Sequence, residues 1–539
     1  MADDLQTRCR ARWAALKNER QSWMPHWREI SEVLTPRSGR FLATDNNRGD
    51  KRHKDIIDNS GTRALRTLSG GMMAGLTSPA RPWFRLTTMD PELDESYDVK
   101  VWMSHVTSLM QMIFNRSNIY RALHTSYEEL GAFGTSAIVL LDDFDHVIHG
   151  MPLTIGEYAI ATDARGRVDT LYREFRLTVA AMVREFGYAN CSGRVQSLYD
   201  QHQWDAWITV VNAIEPREER DPRKLDNKNM PYRSVYFEEG AEQGKLLRES
   251  GFRNFPGLVG RWAVSGGDIY GTSPGMEALG DLRQLQQEQL RKSQAIDYQS
   301  NPPILLPADM KDDASAIVPG GTIFVDSTAQ SQIVRSAYDV NLNLQYLLPD
   351  IQDIRQRIDR MTATEVAERH EEKMLMLGPV LDRLNSELLD PLISLVFDRM
   401  VQADLVPPVP DEMNGKELNV DFISILAQSQ KAITTNGVDR FISNLGVVAQ
   451  MKPEALDKFD ADYWVDAYAD SLGIDPRYVV SGKQVAVIRE QRAEQQQAQQ
   501  QLAAAQQLAS TAKDLGSAVG REGIQSATPD EIAQQFSGY

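Results

Sequence analysis

From Gln484 to about Asp514 the chain reads QVAVIREQRAEQQQAQQQLAAAQQLASTAKD, almost entirely Ala, Gln, Glu, Arg and Leu. These are strong helix formers, yet their spacing leaves no wide apolar face. Such a helix has little to bury by itself, and helices in proteins draw most of their stability from packing. Two outcomes stay open. The segment is either a solvated, disordered tail or a helix packed against copies of itself through small Ala and Gln contacts. The second requires the chain to work as an oligomer.

The rest of the chain is ordinary for a globular protein, with 42% hydrophobic and 25% charged residues in 539. That length predicts roughly three to four structural units. No run approaches the roughly 18 consecutive apolar residues that a membrane span needs, so no membrane partner is expected. The N-terminus, MADDLQTRCRARWAALKNERQSW, has no apolar core of a secretory signal, and synthesis inside the cell is expected. Cys9 and Cys191 are too few for a disulfide framework or a zinc site. A formal charge of −17 argues against gripping nucleic acid through a basic face. An acidic wall repels DNA weakly and evenly, which suits a conduit better than a clamp.

Trp13, Leu16, Trp23, Trp27, Ile30 and Leu34 fall on a helical spacing interrupted by Arg20, which predicts a helix over 5–34 split at Pro25. Residues 35–55 read as an exposed loop with a basic cluster, Arg48, Lys51, Arg52, His53 and Lys54. Asn59 or Ser60 caps a helix whose Leu65, Leu68, Met72 and Leu76 share a face. Residues 98–130 are helical, with Val101, Trp102, His105, Leu109, Met112 and Ile113 as the seam. A strand and a hairpin turning at Asp163–Gly166 follow; Thr178 caps a short helix ending at Gly187. Residues 200–262 suggest a small α/β insertion. Ser273 with Pro274 opens a long helix to about Tyr298. Strand-like residues lie at 302–325, and the longest helical region spans 350–402, with a capping box at Thr362 and Glu365 and kinks at Pro379 and Pro391. A linker at 406–415 leads to a small helical domain over 420–480, where 457–475 holds six Asp and one Lys.

Several motifs invite chemistry and fail on context. Gly70-Gly-Met-Met-Ala-Gly75 nearly spells a nucleotide-binding loop, but Leu76 stands where the phosphate-binding Lys belongs and the flanks look helical. Gly71 and Gly75 instead read as a groove for close helix packing, with the chain turning at Pro79 and Pro82 so that Trp83 and Phe84 enter the core. GTSPG at 271–275 fits the nucleophile elbow of hydrolases, yet Ser273 before Pro274 is explained as a helix cap. Asp142, Asp143, Asp145, His146 and His149 match no metal-site spacing and read as a charged hairpin turn. His370 lacks the second His of a zinc motif. No catalytic residue, metal or cofactor is assigned.

The stretches LRTLSGGMMAGLTSPARPWFRL (65–86), YEELGAFGTSAIVLLDD (127–143), LYREFRLTVAAMVREFG (171–187), DIYGTSPGMEALGDLRQLQ (268–286), NPPILLP (301–307) and the segment 361–400 together resemble the head-to-tail connector, or portal, family of short-tailed bacteriophages. The resemblance covers most of residues 5–400 and implies a mainly α subunit with smaller α+β parts, organised as wing, stem, clip and crown with a C-terminal helical barrel. By position it places the first wing part at 1–177, stem helices and a clip (about 190–265) within 178–298, and wing strands, a channel loop (about 326–349) and a long kinked helix within 299–405. The crown falls at 406–483 and the barrel helix with its tail at 484–539. It further implies a dodecamer at one capsid vertex of the virion, a channel for double-stranded DNA, and contacts with major capsid, scaffolding, terminase and tail adaptor proteins. Arg283, Arg291, Lys292 and Arg335 become the candidates for facing DNA. The competing readings are a nucleotide hydrolase acting through Gly70–Thr77, an esterase acting through Ser273, and a structural tail or scaffold protein without a channel.

Overall fold

The computed structural model describes residues 2–41, 54–307 except 89, 91, 92, 94, 95, 225 and 242–244, then 322–325, 335–336, 344–361, 378–422 except 414–417, and 440–518 except 449–451, 453, 455–458, 473–477 and 481. The chain divides into two compact units, Met1–Asn436 and Gly437–Tyr539.

In the first unit, helices α1 (Ala2–Arg20) and α2 (Met24–Val33) carry the expected seam, and the break falls just before Pro25, in the first turn of α2. Trp13, Leu16, Trp27, Ile30 and Leu34 are buried. Arg20 does not interrupt the seam, because it is buried too: its guanidinium donates to the Tyr158 carbonyl at 2.6 Å and lies over Trp13. Burial pulls its pKa down from the ordinary value.

Helix α3 (Ser60–Leu76) buries Leu65, Leu68, Met72 and Leu76 as the spacing predicts. Asn59 stands at its N-cap position without a side-chain bond, and Asp58 accepts instead from the backbone and hydroxyl of Ser60. The glycine groove lies elsewhere than expected. A Cβ on Gly71 would meet nothing within 4 Å, whereas one on Gly131 would fall 2.7 Å from Leu65 and 3.0 Å from Leu68. Gly131 belongs to α5 (Ile119–Phe133), so the close approach is provided by the partner helix. Helix α4 (Tyr97–Arg116) buries Val99, Trp102, Met103, Val106, Met110, Ile113 and Phe114, a seam shifted in phase that leaves His105 and Met112 exposed.

Beyond Pro82, Trp83 and Phe84 are buried and strand β1 (Phe84–Thr88) begins. Its antiparallel partner is β13 (Leu418–Phe422), with Phe84 opposite Phe422. The start of the region read as helical, 420–480, is therefore strand. Strands β2 (Thr135–Asp143), β3 (Val147–Leu153) and β9 (Gly257–Arg261) make a sheet in which β2 is central. A second sheet runs β4 (Tyr158–Thr162), β5 (Val168–Thr178), β6 (Trp207–Pro216), β7 (Tyr232–Glu238), β8 (Arg248–Phe252), every neighbouring pair antiparallel. The hairpin at 158–178 and strands β6 to β8 of 200–262 thus share one sheet, whereas β9 joins the other. Between β5 and β6, α6 (Val179–Phe186) is capped by Thr178, whose hydroxyl accepts from Ala181 N, and ends at Gly187 with φ +85°. Its Met182 and Phe186 pack with Val195 of α7 (Gly193–Asp200) and Val210.

Helices α8 (Pro274–Glu277) and α9 (Leu279–Ser300) follow, then strands β10 (Ile304–Pro307), β11 (Thr322–Val325) and β12 (Arg335–Ser336) in one small sheet. Helix α10 (Leu344–Met361) begins inside the segment that the resemblance assigns to a channel loop (about 326–349), of which 326–334 and 337–343 lie outside the described residues. So do Thr362, Glu365, His370 and the cluster Arg48–His53. Of the two kinks, Pro379 sits in the first turn of α11 (Gly378–Leu384), and a π-helical turn (Asn385–Leu389) precedes Pro391 at the start of α12 (Asp390–Gln402). Extra residues in a helix turn re-aim side chains, and here Glu387 meets Arg261 of β9 at 3.1 and 2.5 Å. The fold class is mainly α with α+β parts.

One buried acid couples this unit to pH. Glu129 on α5 accepts from Thr154 Oγ1 at 2.8 Å and Ile155 N at 3.1 Å, fastening the turn after β3. Burial nevertheless pushes its pKa from the ordinary 4.5 up to about 7, against the pull of those two donors. A raised acid contributes stability that is complete below its unfolded value and lost as pH rises through the folded one. Between pH 4.5 and 7 the unit should lose about 3 kcal/mol from this group. Glu129→Gln is expected to flatten that dependence and to raise the melting temperature at pH 8 but not at pH 4. Melting curves across that range check it; identical pH profiles for the two chains would contradict it.

In the second unit, α13 (Ala461–Leu472) and α14 (Gly482–Ala518) are joined by Arg489, which reaches both carboxylate oxygens of Asp462 at 2.7 Å. Phe441, Phe459, Trp464 and Tyr468 form a chain of ring contacts. The stretch 484–514 is helical, within a helix about 55 Å long at 1.5 Å per residue. Val487, Ile488 and Leu502 stand exposed along it.

Candidate channel helix and the frame that carries it

The four candidate cations fall on α9 and on β12. Arg283, Arg291 and Lys292 share α9, the first two about 12 Å apart along its axis. Arg335 lies on β12, opposite Leu305, in the small sheet whose first strand starts just after α9 ends. Arg283 is held by Glu29 of α2 at 3.2 Å. Among the described residues, Arg291 and Lys292 have no ion-pair partner, and they stand on the half of α9 that packs least: Leu282, Leu285 and Gln286 are buried, whereas Leu290 and Ile296 are exposed. An anchored half thus carries a projecting cationic half.

The anchor is a polar node that the sequence hides. Gln286 accepts from Ile57 N and Asp58 N at 2.7 and 2.8 Å and donates to the Asp58 carbonyl at 2.8 Å. Asp58 in turn accepts from Ser60, from Gln289 at 3.0 Å and from Arg355 of α10 at 2.6 Å. Burial alone would raise the Asp58 carboxyl, but the Ser60 and Arg355 donors outweigh it and hold it below its ordinary value. Three elements meet there: α9, α10 and the entry to α3. The only sequence signal was Gln286 at an apolar phase of the helix next to Leu282 and Leu285.

The base of α8 shows why GTSPG is not a nucleophile. Ser273 is buried, its hydroxyl donates to the Ala132 carbonyl at 2.8 Å, and its oxygen accepts from Met276 N at 3.1 Å. One bond caps α8 and the other ties Ser273 to α5. The glycines serve contact. A Cβ on Gly271 would lie 2.4 Å from the Gly134 carbonyl oxygen, and one on Gly275 would lie 2.8 Å from that of Ala132. The segments 271–275 and 131–134 therefore press backbone against backbone.

The phosphate-loop reading fails as plainly. Gly70 to Leu76 are interior to α3, where backbone N–H groups bond within the helix. Thr77, fully buried, shares a hydrogen bond with the Tyr127 hydroxyl at 3.0 Å. Residues 142–149 form a hairpin tip as expected, and among the described residues no group of His, Cys, Asp and Glu is arranged to hold a metal. Among the same residues no helix is long and apolar enough to cross a membrane.

Two features stand out among the described residues: α9 carries Arg291 and Lys292 on its less packed half, and α14 runs for 37 residues with Val487, Ile488 and Leu502 exposed. The chain belongs to the bacteriophage head to tail connecting protein family, whose model matches residues 6–480. It is 60% identical, over 98% of both chains, to the "Probable portal protein" of Bordetella phage BPP-1. It is also 44% identical, over 96% of both chains, to the "Portal protein" of Salmonella phage epsilon15.

Proposed function

We propose that this chain is one sector of a closed homo-oligomeric ring, a dodecamer at one vertex of the phage head, through whose centre double-stranded DNA is packaged and later ejected. The near-full-length identity to a probable portal protein is the observation that carries it. Physical features support it. Helix α14 exposes Val487, Ile488 and Leu502, which side-by-side copies would cover. The overall charge of −17 suits a lumen past which a polyanion slides, since many tight phosphate contacts would make each step costly.

In this reading 1–177 and 299–405 form the wing, α6 and α9 are the stem, 190–265 the clip, 406–483 the crown and α14 the start of a barrel. Terminase, and afterwards tail adaptors, dock on the clip, where Trp204 and Trp207 stand exposed, with Tyr188 exposed just before it. Half-exposed Trp and Tyr are the residue types that anchor protein interfaces. Capsid and scaffolding proteins surround the ring, which has no catalytic role of its own; ATP hydrolysis belongs to terminase. Electron microscopy of the purified protein tests the reading: rings of about twelve-fold symmetry with an open centre are expected. A compact monomer under every assembly condition would overturn it.

The channel role of α9 has its own test. Replacing Arg291 and Lys292 by glutamine should leave ring assembly intact and change DNA packaged or retained roughly several-fold, because each lost cation removes a phosphate contact. Unchanged packaging with both replaced, and with Arg335 replaced as well, would remove these residues from the channel.

A further inference from the structure

The hairpin β2–β3 ends in the three-residue loop Phe144-Asp145-His146, between the paired residues Asp143 and Val147. Phe144 is fully exposed to solvent. That would be unremarked on a loose loop, but this loop is fastened at every point around the ring. Asp143 Oδ1 accepts from Asp145 N at 2.8 Å and from His146 N at 3.4 Å. Asp142 is ion-paired to Arg399 of α12, and Ile148 is buried. Val147, packed against the larger core, takes φ +70°.

A positive φ of this size is normally left to glycine, asparagine or aspartate. A β-branched residue there is a conformational outlier, and such outliers persist only where their surroundings over-determine them. The chain thus holds an aromatic ring in water on a rigid, strained mount and gains no contact of its own from it. The ring is flanked by Asp143 and Asp145, neither of which has a cationic partner within salt-bridge distance among the described residues. His146 and His149 stand beside them.

We infer that Phe144 is a docking knob that inserts into an apolar pocket rimmed by lysine or arginine on a different protein of the phage head. The flanking carboxylates select the rim: Asp143 and Asp145 repel DNA phosphates and favour a cationic surround. The choice of partner rests on the connector reading above, and the test keeps the two apart.

The experiment places the photoreactive analogue p-benzoylphenylalanine at position 144 of the full chain, produced during infection, and irradiates assembled heads. The expected adduct joins position 144 to a head protein other than this chain, at a peptide containing Lys or Arg. An adduct only to DNA or to another copy of this chain, or none at all, overturns the proposal. In parallel, Phe144→Asp should enter heads at least ten-fold less than wild type, while Phe144→Trp enters normally and both melt as wild type does. Failure of the wild-type chain itself to enter heads would count against the connector reading. Wild-type entry matched by Phe144→Asp would sink the docking proposal alone.

Discussion

Gly271→Ala is expected to destabilise the first unit by at least about 3 kcal/mol, enough to cost most of the soluble protein at 37 °C. The atoms an added Cβ would meet are all backbone: the Gly134 carbonyl oxygen at 2.4 Å, the Ala263 carbonyl oxygen at 3.1 Å and Trp262 N at 3.1 Å. None of these can swing aside as a side chain would. They are also bonded in place, since Trp262 N donates to the Gly134 carbonyl at 2.8 Å and Thr272 N to the Ala263 carbonyl at 2.7 Å. Relieving the clash means breaking those bonds in the interior, each of which costs about 1 to 3 kcal/mol when left unmade. Gly134 has even less freedom, with φ +75° and the Gly271 oxygen 2.3 Å from its missing Cβ. By contrast, Ser273→Ala in the same motif removes one cap and should cost about 1 kcal/mol. Thermal melts of the two variants decide the matter: a Gly271→Ala chain melting with wild type would show that the two segments do not press together.

Glu387→Ala should cost a similar amount, about 3 to 5 kcal/mol, by a different route. Arg261 is buried, and its guanidinium is divided between both Glu387 oxygens and the carbonyls of Gly166 and Ile269. Removing the carboxylate leaves a charge in the interior with only dipoles for company. Glu387→Gln keeps one acceptor and should fall between the two. Urea unfolding of the purified chains would separate the cases, and an alanine variant as stable as wild type would mean that the pair is idle.

Where a local rule decided an element, it was legible in the residues. The Thr178 cap, the Asp163–Gly166 turn and the Trp13-to-Leu34 seam each depend on neighbours a few positions away, and each is where its spacing put it. What failed depended on distance. Nothing near Arg20 announces that its partner is the Tyr158 carbonyl, and nothing near Gly71 reveals that Gly131 opens the space instead. The candidate site divides the same way. The cations of α9 can be read from the chain, but the node of Asp58, Gln286 and Arg355 that holds the helix joins three remote segments.

The pairing of β1 with β13 has a consequence for how the molecule is made. Arg85 and Asp421, joined across it at 2.9 Å, are 336 residues apart. At the usual pace of roughly 5 to 20 residues per second, the ribosome needs about 20 to 70 seconds between these two positions. Through that interval the sticky edge bearing Trp83 and Phe84 waits without its mate, so the nascent polypeptide is most vulnerable to misassociation just before its last quarter emerges.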